Sequence, residues 1–485
     1  MNIINLEEYK DKVHGCWAGK NVGGTLGVPF EGKREMNEID FYAQDLNGAP
    51  APNDDLDLQL VWLWAIKNHG LATLTPRLLA EYWIGDINGP WNEYGVGKAN
   101  MKAGLMPPLS GSCNNDRWKF SNGAWIRSEI WACCAPGNPD QAIKYAYMDA
   151  CADHCGEGIY AEMFTAALES AAFIVSDLNT LIAIGLGKIP ADCRVARSVN
   201  LALKCHRGGK DWREAREAIV KDSADLGWFQ APANIGFTVL GLLYGEGDFG
   251  KTVCRAVNCG DDTDCTGATA GSIMGIIGGY KAIPEKWLKP IGEAICTCCI
   301  NTFLRAPKTL GELTEQVVAE TLKTHGSPAA QIQLADQPTR VDAAWRERLA
   351  GSEAAAEVWA ISPYELKFDL SYIDVVIDYI DGPELAPGVE KQIKVKISHK
   401  MYIYGQMFTL AWRLPEDWKA SPAKKVSCYL QHPVEFPFTI TPGDFDGGFH
   451  YVELEIRDRD RSNPTVLSIP FQKQGTVHYS QPPVR

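Results

Sequence analysis

The chain has no run of about 18 apolar residues, so a helical membrane span is not expected. It has no cluster of Lys and Arg. Its 47 basic residues are outnumbered by 60 acidic ones, for a formal net charge of −13. Nucleic acid and anionic membrane surfaces are therefore not expected partners. The opening residues Met1 to Lys12 carry Glu7, Glu8 and Asp11 and lack an apolar core, so no secretory signal is expected and the cytoplasm is the expected location. Paired cysteine spacings of structural zinc sites are also missing. The 15 cysteines include a single Cys296-x-x-Cys299 and an adjacent Cys133-Cys134, and many sit in apolar helical stretches. Reduced structural thiols are the expected state. The glycine-rich stretch from Gly15 to Gly32 has no Gly-Lys-Ser/Thr ending and no strand before it, so it is not a phosphate loop.

What the chain does have is enough apolar residue to build a large core. It is 485 residues long, 46% hydrophobic and 22% charged, which suits two or three soluble domains. Helical periodicity dominates to about residue 345. Leu6, Tyr9, Val13, Cys16 and Trp17 share one face, as do Phe164, Ala167, Leu168 and Ala171, and Val239, Leu242 and Leu243. After residue 360 the period changes. Ile373–Tyr379, Gln392–Ile397, Tyr451–Ile456 and Thr465–Ile469 alternate or run β-branched, with turns such as Asp381-Gly382-Pro383 between them. The expected architecture is a large all-α domain over residues 1–345 followed by a smaller all-β sandwich over 360–485, with the boundary near 325–350.

Gly15, Gly19, Gly23 and Gly27 recur every four residues. Each costs about 1 kcal/mol of helix stability relative to Ala, so this helix is expected to bring its backbone close to a neighbour.

Two acidic stretches carry the chemistry. One is Asn53-Asp54-Asp55-Leu56-Asp57, ahead of the apolar run Leu58 to Ile66. The other is Asn258-Cys259-Gly260-Asp261-Asp262-Thr263-Asp264-Cys265-Thr266-Gly267, ahead of the small-residue segment Ala268 to Gly279. Charge beside apolar packing is costly unless paired or metal-bound. Carboxylate and hydroxyl oxygens suit magnesium or calcium, and two acidic helix starts converging on one cavity would form a cage for two such ions. Asp and Asn are also common helix caps. Capping and metal binding both remain open on spacing alone.

Residues 83–123 read as a long irregular stretch rich in Gly, Asn, Pro and aromatics. Such a loop is usually functional. Asn92, Glu93 and Tyr94 within it, with Trp91 and Trp118, suit contact with a polar ring-shaped ligand.

Five segments together resemble the ADP-ribosylglycohydrolase family. They are Gly15-Cys16-Trp17-Ala18-Gly19 through Glu31; Asn53-Asp54-Asp55; Ser121-Asn122-Gly123-Ala124-Trp125-Ile126-Arg127; the stretch from Asp153-His154 through Gly156; and Asn258 to Gly271. The resemblance spans roughly residues 5–285 and implies an all-helical fold with a binuclear magnesium centre. Asp54, Asp55, Asp262 and Asp264 would be ligands, with Asn53, Cys265 and Thr266 filling out the metal set. Glu31 would be the general base, and Asp55 and Asp262 catalytic carboxylates. Asn122, His154 and Gly156 would join Asn92, Glu93 and Tyr94 in binding substrate. Asn53 and Cys265 stand where the family usually has Thr, and Asp261 where it has Gly.

The implied activity is hydrolysis of an N- or O-glycosidic bond of an ADP-ribosyl or related small sugar compound by metal-activated water. Such cleavage builds oxocarbenium character at carbon 1 and needs water activated on one face. The alternatives are a glycosidase for another carbohydrate or nucleoside, a non-catalytic ADP-ribose or glycan binder, and a two-metal phosphoesterase. The expected partner is a small-molecule glycoside. The β-sandwich is a candidate for substrate binding, for capping the site, or for homo-oligomer formation.

Overall fold

The computed structural model describes residues 2–400, 407–428, 432–476 and 479. The chain divides into two compact units. The first comprises residues 1–89 and 117–360 and is helical. The second comprises residues 90–116 and 361–485 and is built on strands.

In the first unit the leading helix, Leu6–Gly27, is capped by Asn5, whose side chain accepts from the backbone N–H of Glu7 and Glu8 at 3.0 Å each. Glu7 and Glu8 in the first turn favour the positive end of the helix dipole. Tyr9, Val13, Cys16, Trp17, Val22 and Leu26 are fully buried. The glycine repeat faces the helix Thr263–Gly278. A methyl built on Gly15, Gly19 or Gly23 would overlap the carbonyls of Gly275, Gly271 and Gly267 in turn. The two helices therefore meet backbone to backbone. The propensity lost at each glycine is offset by an approach that no side chain would permit.

A short parallel pair, Asn2–Asn5 with Ile332–Ala335, ties the start of this unit to its far end. Four-residue strands leave almost no periodicity, so the all-helical expectation missed it.

In the second unit two five-stranded sheets carry the expected alternation. The first runs Glu365–Asp369, Ile373–Asp378, Lys391–His399, Val434–Thr441, Lys419–Ser421. The second runs Glu384–Leu385, Thr465–Lys473, Phe449–Asp458, Met407–Arg413, Lys424–Cys428. Val375, Ile377, Ile393, Val395 and Ile397 point inward, and Trp412 meets Phe438 edge-on at 5.7 Å between the sheets.

Two sequence expectations need correction. The division falls at residues 360/361 rather than near 325–350. The stretch 83–123 is not one irregular loop. It contains the helices Asn92–Lys102 and Leu109–Ser112, and residues 90–116 pack with the sandwich. Asn114 and Gln472 exchange two side-chain hydrogen bonds of 2.8 Å. Ser112 Oγ donates to the Pro363 carbonyl at 2.8 Å, and Tyr451 OH to that of Ala103 at 2.9 Å. Bonds across such sequence separations have no local signature.

Candidate active site

The two acidic helix starts converge, and capping does not account for their acids. The helix Asp54–His69 is capped by Asn53, whose Oδ1 accepts from Asp55 N–H at 2.8 Å. That leaves the carboxylates of Asp54 and Asp55 without a capping role. Asp262 occupies the cap position of Thr263–Gly278, yet its side chain makes no capping hydrogen bond. Its Oδ2 instead accepts from Asn122 Nδ2 at 2.6 Å. Asp264 Oδ2 accepts from Asn53 Nδ2 at 3.3 Å. Asp55 Oδ1 accepts from the Cys265 thiol at 3.5 Å. On the other side of each buried carboxylate, Asp55 Oδ2, Asp262 Oδ1 and Asp264 Oδ1 have no hydrogen-bond partner.

Such oxygens are expensive unless something positive completes them. Oxygens of Glu31, Asp262 and Asp264 lie within 4.8 Å of one another, and so do ligand atoms of Asp55, Asp264 and Cys265. The donor set fits a hard divalent cation. The electrostatics agree. Burial raises the pKa of Asp262 well above the usual carboxylate range, with Asp264 and Glu31 adding to it. Burial does the same for Asp55, opposed by Lys20 and assisted by Asp264 and Asp54. Asp264 is pushed up to about 7, by burial and then by Glu31. Glu31 reaches solvent, but loss of water on its protein side, then Asp54 and Asp55, raise it to about 7. Without a cation these acids repel one another and favour protonation.

Asp261 does not add to the acidic face. It is fully buried with φ +72°, and its carboxylate turns to Phe229 N–H at 2.7 Å and to Arg34 Nε at 3.1 Å. Its backbone pairs with the segment behind Glu31: its N–H donates to Lys33 O at 2.7 Å and its carbonyl accepts from Gly32 N–H at 3.0 Å. Asp261 thus fixes Glu31's segment to the turn that carries Asp262.

Several other expected residues take supporting places. Asn53 spends its oxygen on the cap and presents its N–H to Asp264, so it orients that carboxylate. The Cys265 thiol is held protonated by burial and then by Asp262 and Asp264, so it acts as a donor to Asp55. Thr266 Oγ1 donates back to the Thr263 carbonyl at 3.2 Å. His154 is fully buried, with Nε2 3.1 Å from Ser121 Oγ and Nδ1 2.8 Å from Asp153 Oδ1. It has no face left for a substrate. Arg127 is likewise buried and pairs with Asp149 at 2.7 Å and Asp153 at 2.6 Å. Both brace the segment that presents Asn122. Gly156, at φ +52°, turns the chain into the helix Glu157–Ala172 beside Phe120. Asn92, Glu93 and Tyr94 belong to the second unit, in the helix Asn92–Lys102, with Glu93 and Tyr94 buried. Asp57 faces the backbone of Cys298 and Cys299, whose N–H groups both donate to its Oδ2 at 2.7 Å.

One participant escaped the sequence reading. Lys20, buried between the glycines of the leading helix, donates to Glu129 Oε1 at 2.8 Å and Ile126 O at 2.7 Å, and lies 3.6 Å from Asp55 Oδ2. Burial alone would lower its pKa. Glu129 and then Asp55 reverse that, so it stays charged. Gln59 and Ser272 also bind Glu129, at 2.8 and 3.1 Å. A lysine inside a glycine-rich apolar helix was the available signal, since it is almost never buried unpaired. A small cleft lined by Lys20, Gly24, Thr25, Asn53 and Asp55 opens beside this group.

Among the described residues no helix is long and apolar enough to cross a membrane. The chain is 24% identical over 302 residues to an uncharacterized protein of Archaeoglobus fulgidus, an overlap that covers 59% of this chain and 92% of the relative. The family model described as ADP-ribosylglycohydrolase matches residues 5–332, from the leading helix to the strand Ile332–Ala335 and so through both acidic helix starts. With that match over two-thirds of its length, the chain belongs to the ADP-ribosylglycohydrolase family, whose members hydrolyse glycosidic bonds.

Proposed function

We propose that the protein is a magnesium-dependent glycohydrolase that cleaves the bond at the anomeric carbon of an ADP-ribosyl compound, using a pair of ions held by Asp54, Asp55, Asp262 and Asp264. One observation carries this reading. Carboxylates at two helix starts do not cap their helices; Asp262 Oδ1 and Asp264 Oδ1 are buried with no hydrogen-bond partner, and Asp55 Oδ2 faces Lys20 only at 3.6 Å. Bound there, the cations would neutralise the acids, acidify water and hold vicinal hydroxyls of the sugar.

The residues around them have separate tasks. Asn122 aims Asp262, Asn53 aims Asp264, and Cys265 with Lys20 aims Asp55. Glu31 reaches solvent and is the proton acceptor for the attacking water. As the new bond forms between carbon 1 and water oxygen, the bond to the leaving group breaks. The water proton goes to Glu31, which passes it to solvent, and the departing group takes one proton from solvent. Lys20 with Glu129 neutralises the inner wall of the site without touching substrate.

A second reading, hydrolysis of a different small glycoside, draws support from Asn53 and Cys265. Neither supplies a hydroxyl at its position, and both are engaged with neighbouring acids. ADP-ribosyl-arginine, ADP-ribosyl-serine and a panel of nitrophenyl glycosides, each assayed with magnesium and with EDTA, separate the two. Release of ADP-ribose only with magnesium supports the first. Turnover of an aryl glycoside alone moves the enzyme to the second. Full activity in EDTA removes the metal from both.

A further inference from the structure

Asp57 lies one turn beyond Asp54 but faces a different set of atoms. It is fully buried, and its Oδ2 holds the N–H groups of Cys298 and Cys299. Those two bonds explain one oxygen. They do not explain Oδ1, which is buried and has no hydrogen-bond partner, although the Cys299 side chain also acts on this carboxylate. Ligand atoms of Asp57, Cys298 and Cys299 lie within 4.8 Å of one another. The Cys299 thiol is buried beside that of Cys298, while Cys298 is exposed, so the cluster has one side open to water. Its backbone is fixed. The Cys299 carbonyl accepts from Asn88 N–H at 2.6 Å and Gly89 N–H at 3.3 Å, and Ile300 bridges Ile87.

We propose that Asp57, Cys298 and Cys299 form a second cation site, for a thiophilic divalent ion such as zinc, chemically distinct from the all-oxygen cluster. Two sulfurs and one carboxylate oxygen are a poor set for magnesium and a good one for zinc. Tetrahedral zinc, with bonds of about 2.3 Å to sulfur and about 2.0–2.2 Å to oxygen, needs its ligands roughly 3.5–4 Å apart. The ligand atoms now lie within 4.8 Å of one another, and binding would draw them together into that range. Binding exchanges the two thiol protons for the ion, so two protons are released, and water takes the fourth position. The buried Asp57 carboxylate gains a positive partner.

The test uses the whole protein, reduced and stripped of metal, with excess magnesium to occupy the oxygen cluster. Cobalt(II) is the spectroscopic probe and zinc the competitor. The expected result is a near-ultraviolet sulfur-to-cobalt charge-transfer band that saturates at one ion per chain, disappears on adding zinc, and survives in Asp262→Asn. Cys298→Ser should abolish the band and weaken zinc binding by more than about 100-fold, beyond the 10–100-fold of a lost supporting residue. Cys298 is exposed, so this variant should keep the wild-type circular dichroism. No sulfur band in the wild-type protein, or a full band in Cys298→Ser, would overturn the proposal. The readout does not depend on hydrolysis, so it stands or falls separately from the glycohydrolase reading.

Discussion

Asn122 donates its side-chain N–H to Asp262 Oδ2 across 2.6 Å, while its own Oδ1 is held by the Trp125 indole N–H at 3.0 Å. A residue 140 positions earlier thus aims the acid at the mouth of the Thr263–Gly278 helix. Asn122→Ala should keep the fold, since one buried amide is removed with its packing largely intact. It should weaken magnesium binding or activity by about 10–100-fold, the usual loss for a residue that orients a ligand. Magnesium titration of activity checks it. An unchanged magnesium dependence would remove Asn122 from the site.

Asp262→Asn and Asp264→Asn change the charge of the cluster but little of its shape. Each is expected to cut kcat by orders of magnitude, beyond the roughly 10–100-fold expected of Asn122→Ala. Far-ultraviolet circular dichroism should stay the same. In the metal-free protein both variants should melt at higher temperature than the wild type, because each relieves repulsion among buried acids. A variant with wild-type turnover would show that its carboxylate holds no ion.

Glu31→Gln removes the proposed proton acceptor and leaves the four inner acids untouched. We expect kcat to fall by about 100–10,000-fold with KM for the substrate within a few-fold. Steady-state kinetics at saturating magnesium decide it. Loss of binding with kcat intact would make Glu31 a substrate contact instead.

The pH dependence has a definite sign. Asp264 and Glu31 are both raised to about 7, against about 4 in an unfolded chain. Between those values the folded form binds more protons than the unfolded form. Stability from these groups is complete below about pH 4 and is lost as pH rises through 7. The metal-free wild type should therefore lose stability relative to Asp264→Asn across that window. Magnesium should raise the melting temperature more at pH 8 than at pH 5.5, because it needs the ionised acids. Equal shifts at both pH values would refute this.

Gly23→Ala places a methyl against the Gly267 carbonyl. We expect a loss of at least about 1–3 kcal/mol in urea unfolding, typical of overpacking. A stability within about 0.5 kcal/mol of wild type would mean that the helices can separate freely.

The sequence made some of this legible and hid the rest for physical reasons. Asp54-Asp55 and Asp262-x-Asp264 stood out because charge beside apolar residues is costly anywhere. The four-residue glycine spacing announced a close backbone neighbour, though not which one. Alternation in Ile373–Asp378 and Phe449–Asp458 disclosed strands, because one buried face imposes it. His154 was the opposite case. Its family position suggested a ligand contact, and only burial and its two bonds show a brace. The placement of residues 90–116 depends on Asn114 meeting Gln472, 358 positions away, and no window of sequence contains both. Lys20 was visible as a letter but not as a charge, since its partner Glu129 lies 109 residues on.

In the contact between Leu6–Gly27 and Thr263–Gly278, glycine backbone lies against backbone, and the Thr263 hydroxyl bonds the Gly27 carbonyl at 2.8 Å where the segment toward Glu31 leaves the first helix and Asp262 caps the second. The spacing of those two acids is therefore a ruler cut from main chain. Swapping large core residues for smaller ones elsewhere changes stability but cannot retune that interval. Asn53 and Asn122 reach the acids only through side-chain bonds, so substitutions there can shift Asp264 and Asp262 without moving the paired helices.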